Sequence, residues 1–210
     1  MTGKLLAMGG MAESAIELAV RAYCERVPEL CQKVFENEAL INLAEREIDE
    51  LALDLLAMQQ PMAVDLRLIL AIIKSNADLE RIGDQSVNVA QRVMGLIELP
   101  RVELQADIPG MARIACEMVH QSLEAFVTRD TELGRRVLTR DDDVDRINQE
   151  IFVAMDRTMD ASPELTRQAL NTIMIARNLE RVADHATNIA EDAIFWVRGD
   201  DVRRAFGIVA

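Results

Sequence analysis

The chain is 210 residues long, half of them hydrophobic but only 3% aromatic, and it carries a formal charge of −13 at neutral pH. So acidic a chain, with so few rings, offers neither the cationic surface that a phosphate backbone requires nor stacking platforms for single strands, which argues against direct nucleic-acid binding. No run approaches the roughly 20 apolar residues of a membrane-spanning helix, the richest being Leu68 to Ile73 between Arg67 and Lys74, and no apolar signal segment follows Met1.

Helical periodicity runs almost throughout, and the breakers divide it into six pieces. The first extends from Leu5 to about Arg26. Pro28, a good first-turn residue, opens a second that runs to about Gln59. A tight reversal at Gln60 and Pro61 leads into a third, from Met62 to Glu98, which Pro100 ends. Residues 101 to 109 form the natural linker. The second half then reads as helices at Pro109–Thr128, Thr131–Met159 and Pro163–Arg198, with Asp130 and Ser162 in N-cap positions. No strand-like alternation competes, so the fold class is all-α: six helices as two tandem three-helix bundles related by a pseudo-two-fold, residues 1–100 and 101–210. The second and third helices are long enough that a kink is expected in one of them. Cys24, Cys31 and Cys116 form no CxxC pair, fit a reducing cytoplasm, and read as small buried apolar residues.

The chain is a tandem repeat. Leu79-Glu80-Arg81-Ile82-Gly83-Asp84-Gln85-Ser86-Val87-Asn88-Val89-Ala90 recurs 100 residues on as Leu179-Glu180-Arg181-Val182-Ala183-Asp184-His185-Ala186-Thr187-Asn188-Ile189-Ala190. On a helical wheel Leu79, Ile82, Val89 and Val93 share one stripe, while Glu80, Asp84 and Asn88 lie off it. A polar face is ordinarily free to vary, so its recurrence asks for a reason other than burial.

Carboxylates at i, i+4 lie roughly 6 Å apart on one helix face, close enough to hold a cation and mutually repulsive without one. Pairs of this kind occur at Glu80/Asp84, Glu180/Asp184, Asp141/Asp145 and Glu45/Asp49. If antiparallel helices turn at Ser162, Asp141 and Asp145 stand level with Glu180 and Asp184, and four carboxylates converge. If the first-half turn is centred on Gln60, Glu80 stands level with Leu40, its neighbours are Glu38 and Asn42, and Glu45/Asp49 falls about two turns away. An all-oxygen donor set of this kind suits hard cations such as Mg²⁺ or Mn²⁺, with Fe or Zn as further candidates. His185 is at most an edge ligand. The bland alternative is a solvated acidic face paired with Arg81, Arg177 and Arg181.

Together these residues resemble the PhoU family of phosphate-transport regulators. The likeness is carried by Met8-Gly9-Gly10-Met11, Ile41-Asn42 with Glu45 and Asp49, Gln60-Pro61 with Asp65-Leu66-Arg67, Asp141 with Val144-Asp145, and the two long repeated segments. The resemblance implies metal motifs at Glu80, Asp84, Glu180, Asp184, Asp141 and Asp145. Glu38 and Asn42 depart from the fully acidic pattern. It also implies a non-enzymatic, cytoplasmic negative regulator that links the Pst phosphate-uptake ABC transporter, through its ATPase subunit, to a PhoR-type sensor kinase and PhoB, and that meets the membrane only through partners. A homodimer is the expected assembly, symmetric pairs being the commonest.

Two other classes compete. A metal-independent helical adaptor would use the acidic face for docking alone. A di-metal carboxylate oxidase would use Glu117-Met118-Val119-His120, but that architecture needs the Glu-x-x-His motif twice and the chain has it once. Met8-Gly9-Gly10 is no phosphate loop, since no Gly-Lys-Ser/Thr follows.

Overall fold

The structure, a computed structural model, describes residues 1–59 and 61–199. Gln60, on which the first reversal was expected to centre, lies outside the described residues, as does the tail beyond Gly199.

Six α-helices account for nearly all of it: α1 Thr2–Glu25, α2 Pro28–Gln59, α3 Ala63–Ile97, α4 Ile108–Thr128, α5 Thr131–Ala161 and α6 Thr166–Arg198. The starts and stops follow local chemistry. Asp130 accepts hydrogen bonds from the Glu132 and Leu133 amides, each at 3.0 Å, and so caps α5 as expected. Asp107 caps α4 through the Gly110 amide at 2.9 Å, with Pro109 in the first turn. Ser162 makes no capping bond with its side chain. It precedes a single 3₁₀ turn, Pro163–Leu165, and α6 begins only at Thr166. The first and fourth helices end alike, on arginines in the left-handed region, Arg26 at φ 58° and Arg129 at φ 61°. Neither α2 nor α3 is broken: they run as continuous α-helices of 32 and 35 residues. Neither has an interior proline, and packing against neighbours supplies what isolated helices of that length lack.

Within each half the three helices pack on one another, and between halves α3 packs on α6 and α1 on α4. The two main helix contacts across the seam thus join an element to its own repeat partner, as a pseudo-two-fold axis requires. Asp78 bonds to His185 and Asn188, Lys74 to Asp192, and Arg67 lies beside Gly199, so α3 and α6 run antiparallel and cross near residues 82 and 182. One continuous apolar core spans both halves, with Leu79, Ile82, Val89 and Val93 and their counterparts Leu179, Val182 and Ile189 all buried. Met8 is fully buried, and a Cβ on Gly9 would collide with the Leu123 side chain, so the Met8-Gly9 pair serves close approach of α1 to α4. Of the cysteines only Cys31 is fully buried. Cys24 is exposed, contrary to the reading of all three as core, because it lies in the last turn of α1 on the solvent side.

Among the described residues, no helix is long and apolar enough to cross a membrane.

Candidate functional site

The repeated acids fall on the flanks of the α3/α6 crossing, where each long helix faces the middle helix of its own half. The buried stripe of α6, Leu179, Val182, Ala183 and Ala186, fixes its rotation and turns Glu180 and Asp184 toward the polar side beside α5. Val144 is buried on α5, so Asp141 and Asp145, three residues before it and one after, flank the same groove.

The four second-half acids feel one another. Asp141 is pushed up from 3.8 to about 6, first by burial and then by the charges of Asp184, Asp145, Asp142 and Glu180. Glu180 and Asp184 are also raised, by burial first and next by neighbouring carboxylates, with Arg181 pulling both down. No arginine or lysine among the described residues forms an ion pair with Asp141, Asp145, Glu180 or Asp184. Asn148 donates to Glu180 Oε2 at 3.1 Å.

The first half is built differently. Glu80 and Asp84 share one cation, Arg81, at 3.6 Å and 3.8 Å. Glu38 accepts a hydrogen bond from the Asn42 amide, so those two residues are spent on each other. Glu80 is raised by burial, then by Asp84 and Glu45, and only after Arg81's opposing pull by Glu38. Glu45 is likewise raised by burial, then Asp49, and feels Asp84. Glu45 is therefore a neighbour of Glu80 and not two turns away, which corrects the register read from the sequence. Asn76 donates to the Glu45 carbonyl at 3.0 Å and to Asp49 Oδ1 at 2.9 Å, while Gly83 sits against Ile41, and both pairings displace the α2/α3 register by up to about a turn toward the hairpin. In the second half the 3₁₀ turn has the same effect, bringing Asn148 level with Glu180 and setting Asp145 and Asp141 on either side of the level of Asp184. Asn148 and Asp142 are the site residues that sequence reasoning left out, whereas Glu45 was named but set too far from Glu80; counting the 3₁₀ turn into the loop would have found Asn148.

Whether a cation suits these groups is a question of charge and donors. An uncompensated cluster of carboxylates, with its protons held above their ordinary range, fits a hard cation at the second-half groove; at the first, Arg81 already does part of that neutralisation. As placed, among the described residues, no three Asp, Glu, His or Cys side chains close on one point as metal ligands do. His185 does not turn to the acids. Its Nδ1 lies 2.8 Å from Asp78 Oδ1, across the seam between the halves. The oxidase alternative loses its residues as well: Glu117 is held low by hydrogen bonds from Arg140 and Arg113, and the exposed His120 pairs with Glu13 at 3.4 Å.

The family described as the PhoU domain matches twice, over residues 5–93 and 108–193. The phosphate-specific transport system accessory protein PhoU homolog of Pseudomonas aeruginosa is 42% identical over 202 residues, 95% of this chain and 83% of that protein. The accessory protein PhoU of Escherichia coli is 29% identical, over 97% and 85%. Among solved structures, PhoU from Pseudomonas aeruginosa superposes with a TM-score of 0.89 at 39% identity, covering 94% of this chain and 95% of that one. The phosphate transport system regulatory protein PhoU from Streptococcus pneumoniae shares the fold, at a TM-score of 0.87 and 23% identity.

Proposed function

Because this chain belongs to the PhoU family, we propose that it is a cytoplasmic negative regulator of phosphate uptake, acting by contact between the ATPase side of a Pst-type transporter and a PhoR-type sensor kinase with its PhoB partner. The single observation that carries this reading is the 42% identity to a phosphate-specific transport accessory protein over 95% of the chain. The site supports a non-catalytic role, since the repeated groove residues are carboxylates and amides with no paired nucleophile and base.

In this reading Asp141, Asp145, Glu180 and Asp184 would hold divalent or transition metal, Mn, Mg, Fe or Zn, by rotating about their side-chain torsions. Glu38, Glu80 and Asp84, with Asn42 and Glu45 beside them, would form a weaker counterpart. A bound cation supplies charge neutralisation there, letting α5 and α6 stay packed and an acidic face approach a partner. A metal-independent docking face is the second reading, and the Arg81 contacts to Glu80 and Asp84 favour it for the first half.

Deleting the gene tests the regulatory assignment: phosphate-starvation transcripts should stay high in phosphate-rich medium and fall when the gene is restored. Normal repression in the deletion strain would remove it.

A further inference from the structure

The duplication gives the molecule two equivalent hairpin ends, and they are not covered alike. In the second half the linker that follows α3 passes beside the start of α6 on its way to α4. Leu104 packs there against the core, with Ala161, Ser162 and Leu165 to one side of it and Gln168 and Thr172 to the other. In the first half the positions of Ser162, Gln168 and Thr172 hold Met62, Leu68 and Ile72, and a hollow of about 400 Å³ lies open among them, walled also by Leu55, Ile69 and Met1. Counted back from the left-handed caps Arg26 and Arg129, Met1 stands where Leu104 does. The part of the linker before Leu104 has no first-half counterpart among the described residues.

By the repeat, that counterpart is the stretch that follows α6. The chain leaves α6 at Gly199, in the left-handed region at φ 79°, where a Cβ would lie 3.6 Å from the guanidinium carbon of Arg67. Arg67 immediately precedes Leu68, so the residues after Gly199 set out from the wall of the hollow. The Arg67 Nε is buried without a hydrogen-bond partner among the described residues, a costly state for a charged donor, and the next residues in the chain are Asp200 and Asp201. After them come Val202, which repeats the linker's Val102, and then Phe206, Ile208 and Val209. At about 3.3 Å per extended residue Phe206 can reach up to roughly 23 Å from Gly199, so chain length does not limit contact. Met62, on the wall, is 79% exposed, and Met58, Val64 and Leu66 of the same hairpin are exposed too, an apolar surface of the sort that another segment covers.

We propose that the hollow is the docking site of this chain's own C-terminal segment, residues 200–210. Asp200 or Asp201 pairs with Arg67 through a charge-assisted hydrogen bond, and Phe206 seats its ring against Leu68 and Ile72 as the linker seats Leu104 in the other half. The place where the segment starts, the acids that open it and the position it holds in the repeat all select it over a second copy of the chain. The linker, rising from the first half, covers the second; the segment, rising from the second half, covers the first. The two halves are thereby clasped reciprocally. None of the carboxylate-groove residues lines this hollow, so the clasp is separate from the proposed cation sites.

Photo-crosslinking of the full chain tests this, with Phe206→p-benzoylphenylalanine as the probe and a mixture of isotopically light and heavy chains to tell links within a chain from links between chains. Mass spectrometry should find the links at Leu55, Met62, Leu68 or Ile72 of the same chain. Arg67→Glu should lower their yield severalfold, and Asp200→Lys with Asp201→Lys in that background should restore it. Links that fall elsewhere, links that join light to heavy chains, a yield indifferent to Arg67→Glu, or one that the exchange of charges leaves unrestored would each overturn the proposal. Should Arg67→Glu fail to fold, Asp200→Asn with Asp201→Asn asks the same question from the segment's side, and an unchanged yield there overturns it equally.

Discussion

The two carboxylate grooves descend from one repeated segment, yet they solve the same electrostatic problem in opposite ways. In the first, Arg81 lies between Glu80 and Asp84 and Asn42 occupies Glu38. In the second, the equivalent Arg181 forms no ion pair among the described residues, and although carboxyls are raised in both grooves, Asp141 is pushed furthest, to about 6. A helix-face motif copied residue for residue does not fix its own neutralisation. That is set by what the facing helix contributes: Glu38, Asn42 and Glu45 from α2, against Asp141, Asp145 and Asn148 from α5.

The sharpest way to break this contrast is a metal response. With Mn²⁺ at about 100 times its dissociation constant, a one-site cation stabilises by about 2.7 kcal/mol, or roughly 5–10 °C in melting temperature for a chain of this size. Glu180→Gln combined with Asp184→Asn should remove most of that shift in calorimetry, and Glu80→Gln with Asp84→Asn should remove less. Equal losses from the two double variants would mean that the grooves do not differ.

A smaller effect is expected without metal. The Asp141 carboxyl has its folded value raised from 3.8 to about 6, so its contribution to stability is fully present below 3.8 and is lost as the pH rises through about 6. After allowance for solvent screening this is worth about 1 kcal/mol. In chelator, Asp141→Asn should therefore raise stability at pH 7 by about that amount and flatten denaturant midpoints between pH 4 and pH 7. A variant as pH-sensitive as the wild type would place the repulsion elsewhere.

The smallest change is at Arg81, whose side chain is 63% exposed. Arg81→Ala should alter stability by only a few tenths of a kcal/mol, but it makes the first groove resemble the second and should enlarge the Mn²⁺-induced shift that survives in the Glu180→Gln, Asp184→Asn background. A shift that stays the same would show that Arg81 does not compete with cations.

Much of this was readable from residue order. The six helices, the Asp130 cap and the gathering of Asp141, Asp145, Glu180 and Asp184 all follow from apolar periodicity, breakers and the spacing of acids on one face, which are local properties. Glu45 was misplaced because the register between antiparallel helices depends on the residues consumed in the turn, and a single 3₁₀ turn or a shifted hairpin moves every level by several residues. The same limit applies to His185. Its position beside Asp184 suggested an edge ligand, whereas the rotation of α6 turns it to Asp78 on the other half.

The amino-acid order determined the helices, their duplication and the acidic faces, because each depends on side chains within a few turns of one another. Tertiary structure decided which charges meet: α3 crosses α6 near residues 82 and 182, and that crossing sets one end of the pair around Trp196 and leaves the other lined by Gln168. Contacts between helices far apart in the chain arise from the mutual fit of whole faces, and no local pattern of residues encodes that fit.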